Sequence, residues 1–434
     1  MTPSQRSSPA GSDDPSAPAT RLVIAYAFAP DADTSAVAAV KRVAVDGEPC
    51  DVISNDLRAI RGRDDSLEEV VAGLVRRRAV LDTPPMFGGW SSILSFCRAG
   101  QRTLRAWDGQ PAGTAYTSVY SRAHFIAAHF LAALVVRERP GLSWRAEMSD
   151  PLSRSATGEP REGPVPRGAV AEDLAEELAA RGVRMDPAAT TYEWAETLAY
   201  TLADEVVFTS AGQRDYCLAH VSDDRVRAAL EGKAVVSPHA TLPPEWYSRR
   251  DPLVGLSDPA STSAGMADPA GASGSDPAGA VHVGYFGGFY ASQSPQTLLR
   301  AAAALAPEDR ARVRVHLFTG QSEDLSAQVR EAGASDVVLV RDRLPFLDFL
   351  AATRAMDLLL AIDAAPVAGD TVPHVRLSKW SDYVGSGTGV WGMVTPGSDL
   401  ASQDLAVATP LGHQTATQQV LTSLARGTLP RRAG

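Results

Sequence analysis

Apolar positions in this chain fall into short β-rich runs separated by stretches with helical spacing, and the pattern occurs twice. The first set of runs covers 22–28, 50–53, 114–119, 142–148, 205–209 and 235–237. Strand-like runs that alternate with helical patterns predict a parallel sheet covered by helices. One intervening helix is well marked. Thr190 and Glu193 have capping-box spacing, and Trp194, Leu198 and Leu202 then recur on one face before the strand at 206–208. After an interruption the pattern restarts with runs at 281–286, 313–318, 337–340, 358–362 and 390–394. The predicted fold class is α/β, with two doubly wound, Rossmann-like domains facing a central cleft. In such sheets ligands gather outside the carboxyl ends of the strands.

The interruption supplies the domain boundaries. Residues 251–280 carry Asp-Pro-Ala three times in a Ser/Gly/Ala background, too little apolar surface to fold, and read as a linker or disordered loop. Residues 1–20 read as a disordered tail, 21–250 as the first domain with a mobile loop at 153–167, and 281–426 as the second domain. A length of 434 residues suits two domains.

Hydrophobic content of 44% and charged content of 21% are those of a globular protein, and a net charge of −10 argues against nucleic acid as a partner. Cys50, Cys97 and Cys217 lie far apart with no CxxC pair, which suits a reducing cytosol and suggests neither zinc nor disulfides. The first 20 residues lack the basic start and apolar centre of a signal peptide, and no apolar run reaches the ~18–20 residues of a membrane span. A cytoplasmic protein is expected. Arg76-Arg77-Arg78 and Arg431-Arg432 could serve as a solvated helix face or for peripheral contact with the inner face of a membrane.

The densest chemistry lies in Lys379-Trp-Ser-Asp382-Tyr-Val-Gly-Ser-Gly387-Thr-Gly-Val390. A lysine here can neutralise a diphosphate, an aspartate can accept two hydrogen bonds from a ribose diol, and glycines admit phosphate to backbone N–H groups. Its bland alternative is a surface helix before a buried strand.

Together with Phe28-Ala-Pro-Asp-Ala-Asp-Thr34-Ser35, Ala203-Asp-Glu-Val-Val-Phe-Thr-Ser210 and Gly284-Tyr-Phe-Gly-Gly-Phe289, this stretch resembles glycosyltransferases of the GT-B architecture. The likeness is to the retaining, family-four-like group, and it covers most of residues 21–400. It implies that the second domain binds a nucleotide sugar and the first receives the acceptor. The donor residues it points to are Gly287, Gly288 and Phe289 beside the phosphates, Thr319 and Gly320 near the base or ribose, and Ser378, Lys379 and Asp382. The segment 344–346 and Asp363 would line the cleft. Two departures stand out: Gln293 and Ser294 occupy the place where the group usually has a cation. His374 stands eight residues before Asp382, where it usually has an acid, with Asp370 nearby.

In the first domain, Ser121-Arg122 after a strand could grip an anionic group, with Ser121 equally suited to capping a helix. His124 and His129 read first as core or surface residues. Thr34 and Ser35 join Ser121 and Arg122 as acceptor-side candidates. Glu147 and Asp150, two carboxylates at a strand end before Pro151, are catalytic candidates together with Lys379, Asp150 orienting an acceptor hydroxyl.

The implied activity is transfer of a sugar from a nucleoside diphosphate sugar, as co-substrate, to a cell-surface glycan, lipid-linked or small-molecule acceptor with retention. No cofactor and no metal are called for. The competing readings are a degenerate GT-B protein acting as a binding or scaffolding subunit, and a nucleotide-sugar epimerase. A dinucleotide-dependent dehydrogenase lacks its Gly-x-Gly-x-x-Gly turn after residues 22–28.

Overall fold

A computed structural model describes residues 19–111, 113–155, 158–252, 279–290, 292–365 and 376–429. They form two wholly parallel sheets. The first has seven strands: β1 Arg21–Ala25, β2 Cys50–Asn55, β3 Val75–Leu81, β4 Ser118–Arg122, β5 Ser143–Glu147, β6 Glu205–Phe208 and β7 Ala234–Val236, in the order β3-β2-β1-β4-β5-β6-β7. The second has six: β8 Val281–Phe286, β9 Val313–Thr319, β10 Val338–Asp342, β11 Leu358–Ile362, β12 Val390–Val394 and β13 Val407–Pro410, in the order β10-β9-β8-β11-β12-β13. Each order reverses once, between β1 and β4 and between β8 and β11. These are the switch points at which doubly wound sheets open a crevice.

Strands β11 and β12 occupy the predicted residues, and β3 and β13 were not predicted. β3 contains the three arginines, which hide its alternation. It is an edge strand, where charge is the usual guard against pairing with another chain. The arginine run is therefore on a strand and not on a helix face. Arg77 pairs with Asp51 at 2.6 Å and lies over the Trp107 ring, while Arg78 pairs with Glu68 at 2.6 Å. β13 is four residues long and ends in proline. The run at 114–119 is also shifted: β4 begins at Ser118 and extends to Arg122, so Ser121 and Arg122 lie inside the strand rather than after it.

The helix Thr191–Leu202 starts with the expected capping box. The Glu193 N–H donates to Thr190 Oγ1 at 3.2 Å, and the Thr190 N–H donates to Glu193 Oε2 at 2.7 Å. Its Trp194, Leu198 and Leu202 are buried in the first-domain core.

A third apolar cluster crosses between the sheets. Val40, Val43 and Leu67 of the first domain pack with Leu242 and Tyr247 against Phe346, Leu347 and Leu350 of the second. The helix Phe346–Ala355 is capped from the other domain, its first amides donating to Asp64 Oδ2 at 2.7 Å and Ser66 Oγ at 3.2 Å. Burial of several aliphatic and aromatic side chains at roughly 25 cal/mol per Å² makes this a fixed junction rather than a loose contact. Most of the expected tail, nearly all of the 251–280 linker, and Arg431-Arg432 lie outside the described residues. Among the described residues no helix is long and apolar enough to cross a membrane.

Candidate functional site

Where the two switch points face each other the chain encloses a cavity of about 500 Å³. One wall is the helix Thr34–Asp46, which presents Thr34, Val37, Ala38 and Lys41 at the spacing of a single helical face. The opposite wall is built from the ends of β8 and β9 (Gly287, Gly288, Thr319 and Gly320) and from Ser378, Lys379 and Asp382. Seven of the eight residues expected at the donor site therefore line one cavity. Phe289, the eighth, faces an adjoining recess of about 260 Å³ and stacks on Tyr285 with ring centroids 4.6 Å apart.

Lys379 is the central cation. Its Nζ lies 4.0 Å from the centre of the Tyr285 ring, and among the described residues no carboxylate pairs with it. Burial alone pulls the ammonium down to about 7. Gly287 makes room for it: a Cβ at this position would stand 2.6 Å from Nζ, and φ is +148°, a conformation that side chains resist. The turn is fixed from below. The Phe286 N–H donates to Tyr383 Oη at 3.2 Å, Tyr383 Oη donates to the Leu360 carbonyl at 3.3 Å, and Tyr285 Oη donates to the Gly288 carbonyl at 2.8 Å. Gln293, where a second cation is expected, lines the cavity and donates its amide to the Ile362 carbonyl at 3.0 Å.

Asp382 is not free-standing. Lys41, from the other domain, donates to Asp382 Oδ1 at 2.6 Å and to Ser381 Oγ at 2.7 Å. Burial pushes the Asp382 carboxyl up and Lys41 opposes that push. Sequence reasoning missed Lys41. The available signal was a lysine interrupting the apolar run Val37-Ala-Ala-Val-Lys41-Arg-Val43. His239, also unforeseen, lines the cavity. It is buried, its Nδ1 has no partner among the described residues, and burial with the nearby Arg122 lowers it to about 3, so the imidazole is neutral.

The first-domain candidates divide differently. Thr34 lines the cavity, whereas Ser35 turns inward, accepting from Arg122 Nε at 3.0 Å and donating to the His124 carbonyl at 3.0 Å. Ser121 caps no helix and reaches no cavity. It is fully buried between Trp144 Nε1 and His129 Nδ1, each 2.8 Å from its Oγ. Arg122 and Glu147 are paired in the interior, and Glu147 also accepts from Arg42 Nε at 3.1 Å and Tyr120 Oη at 3.1 Å. Burial pushes the Glu147 carboxyl up, but the two guanidiniums outweigh it and hold it at about 2. Thus Ser121, Arg122 and Glu147 serve the packing of the first domain, because β4 runs three residues further, to Arg122, than the expected run ending at 119. Asp150 is half-buried and does not line the cavity. Asp363 is not a lining residue either: it is buried, accepting from the Ala364 N–H at 3.0 Å and the Thr395 N–H at 3.1 Å. His374 and Asp370 lie outside the described residues.

No protein-family model and no curated protein sequence matches the chain. Its fold is matched by solved structures. Sucrose-phosphate synthase from Thermosynechococcus elongatus aligns over 94% of each chain with a TM-score of 0.53 and 13% identity. A glycosyltransferase from Rickettsia africae aligns over 95% of this chain and 93% of its own, with a TM-score of 0.53 and 10% identity. WaaG, a glycosyltransferase involved in lipopolysaccharide biosynthesis, aligns over 94% and 90% with a TM-score of 0.51 and 13% identity. The architecture is GT-B, two Rossmann-like domains about a cleft.

Proposed function

We propose that this protein is a glycosyltransferase that binds a nucleoside diphosphate sugar against its second domain and transfers the sugar to a hydroxyl presented from the first. The observation that carries this reading is the unpaired Lys379 ammonium beside the Gly287–Gly288 turn, inside a cavity walled by both domains. A half-buried cation in a cavity, with no carboxylate beside it among the described residues, is ready to match an incoming anion. The diphosphate is that anion, and the glycine turn lets it approach backbone N–H groups.

In the reaction the bond between the anomeric carbon and the diphosphate oxygen breaks, and its electron pair leaves with the diphosphate. Lys379 stabilises that growing charge, the largest single demand of the step. The acceptor oxygen bonds to the anomeric carbon on the face the diphosphate vacates, giving retention, and its proton passes to the departing phosphate oxygen. The packed interdomain junction keeps water from competing as acceptor. The acceptors that suit this reading are a glycan, a lipid-linked saccharide or a small molecule. The similarity to WaaG and the other structures supports the scaffold on which such chemistry would run. Three buried free thiols suit a cytoplasmic setting.

The test is to incubate the protein with UDP-, GDP- and ADP-sugars and to follow release of the nucleoside diphosphate, with the product's anomeric configuration read by NMR. Release from one donor, lost in Lys379→Met, is expected. Nucleotide binding without release from any donor, with or without added acceptors, would assign the chain to the degenerate, partner-binding reading instead.

A further inference from the structure

Lys41 and Asp382 are separated by 341 residues and belong to different domains, yet they form one of the most deeply buried ion pairs in the molecule, with side chains 2% and 5% exposed. Two of the lysine's three N–H donors are spent on Asp382 Oδ1 and Ser381 Oγ. Ser381 in turn donates to the Ser378 carbonyl at 3.2 Å, so the lysine is anchored to the segment that carries Lys379. Asp382 Oδ2 has no partner among the described residues, and Asp382 lines the cavity. An interdomain pair meant only to hold the domains together would satisfy both oxygens. This one leaves one carboxylate oxygen open on a residue that lines the cavity.

We propose that Lys41 is a positioning residue for ribose: by gripping Oδ1 from the opposite domain it fixes Asp382 so that Oδ2 accepts from the ribose hydroxyls of the bound nucleotide. The inference rests on the nucleotide-sugar reading. Its consequence is that the donor site, although built on the second domain, is complete only while the first domain is docked. The helix Thr34–Asp46 fits this role, since one of its faces supplies both cavity wall and lysine. Without Lys41 the carboxylate would lose its charged partner, and with it the single orientation that makes a charged hydrogen bond selective.

The experiment is calorimetric titration of the full chain with whichever of UDP, GDP or ADP it binds, and with the 2′-deoxy form of the same nucleotide. Wild type should prefer the ribose form by about tenfold, the value of one hydrogen bond to a charged group. Lys41→Met should bind both forms with equal affinity, Lys41→Arg should retain a preference, and Lys379→Met should weaken both forms and keep it. If Lys41→Met unfolds because it strands a buried carboxylate, Lys41→Gln carries the same readout, since it keeps a polar group at the site without the charge and should give a reduced preference. Equal weakening of both forms in the Lys41 variants, with the preference intact, would reduce Lys41 to an interface residue and overturn the proposal while leaving the nucleotide site standing. Failure of wild type to bind any of the three nucleotides would remove the nucleotide reading itself, and this proposal with it.

Discussion

Two clusters of buried charge sit on either side of the same cleft, and they behave as opposites. In the first domain Glu147 has both oxygens filled, by Arg122 on one side and by Arg42 and Tyr120 on the other. At the cavity Lys379 has no carboxylate among the described residues, and Asp382 has one oxygen held and one open. Burial and charge are common to both, so neither marks a functional site by itself. The difference is unsatisfied capacity. A closed network specifies packing, whereas an open one waits for a ligand.

That contrast can be broken most forcefully at the closed cluster. Glu147→Ala leaves two guanidiniums without their carboxylate and should destabilise the fold by about 3–5 kcal/mol, measured by urea denaturation. A change much smaller than this would mean that the network is less closed than its hydrogen bonds indicate. At the open cluster the effects should reverse in kind. Lys379→Met should reduce nucleoside diphosphate affinity by about a hundredfold, roughly the loss of a charge-assisted pair, with little loss of thermal stability. Gly287→Ala should cost about tenfold in the same affinity, because the new Cβ displaces Nζ and strains the backbone.

The two clusters also differ in how they respond to pH. Burial holds the Lys379 ammonium at about 7 against 10.5 when unfolded. The unfolded chain thus binds more protons across that window, and Lys379 makes stability climb as pH rises from about 7 towards 10. Diphosphate affinity should move the other way, falling as the ammonium is lost above about 7. Lys379→Met should flatten both slopes, with thermal melts and titrations at pH 6, 7, 8 and 9 as the measurement. The smallest effect expected is from Thr190→Ala in the capping box, about 1 kcal/mol of stability with no change in nucleotide affinity.

Much of this was legible from local pattern. Strands β11 and β12 are apolar runs bounded by turn residues, and the motif from Lys379 to Val390 keeps its cation, acid and glycines within a dozen residues. Such sites survive reading from sequence because their parts are neighbours in the chain. Lys41 was not legible for the converse reason: its partner is fixed by domain docking, which no local spacing encodes. β3 was hidden because an edge strand tolerates the arginines that erase its alternation. Ser121 and Arg122 were misplaced by a strand end three residues off. In a strand that error decides whether a polar side chain meets a ligand or fills the core.

The role of Lys379 as the diphosphate's counter-charge is tested by isothermal titration calorimetry of the wild-type protein and Lys379→Met with UDP, GDP and ADP at pH 7. Wild type should bind one nucleoside diphosphate selectively, with net proton uptake seen as a dependence of the heat on buffer ionisation, and Lys379→Met should lose both the affinity and the uptake. Equal binding by the two proteins, or none by wild type, would contradict that role.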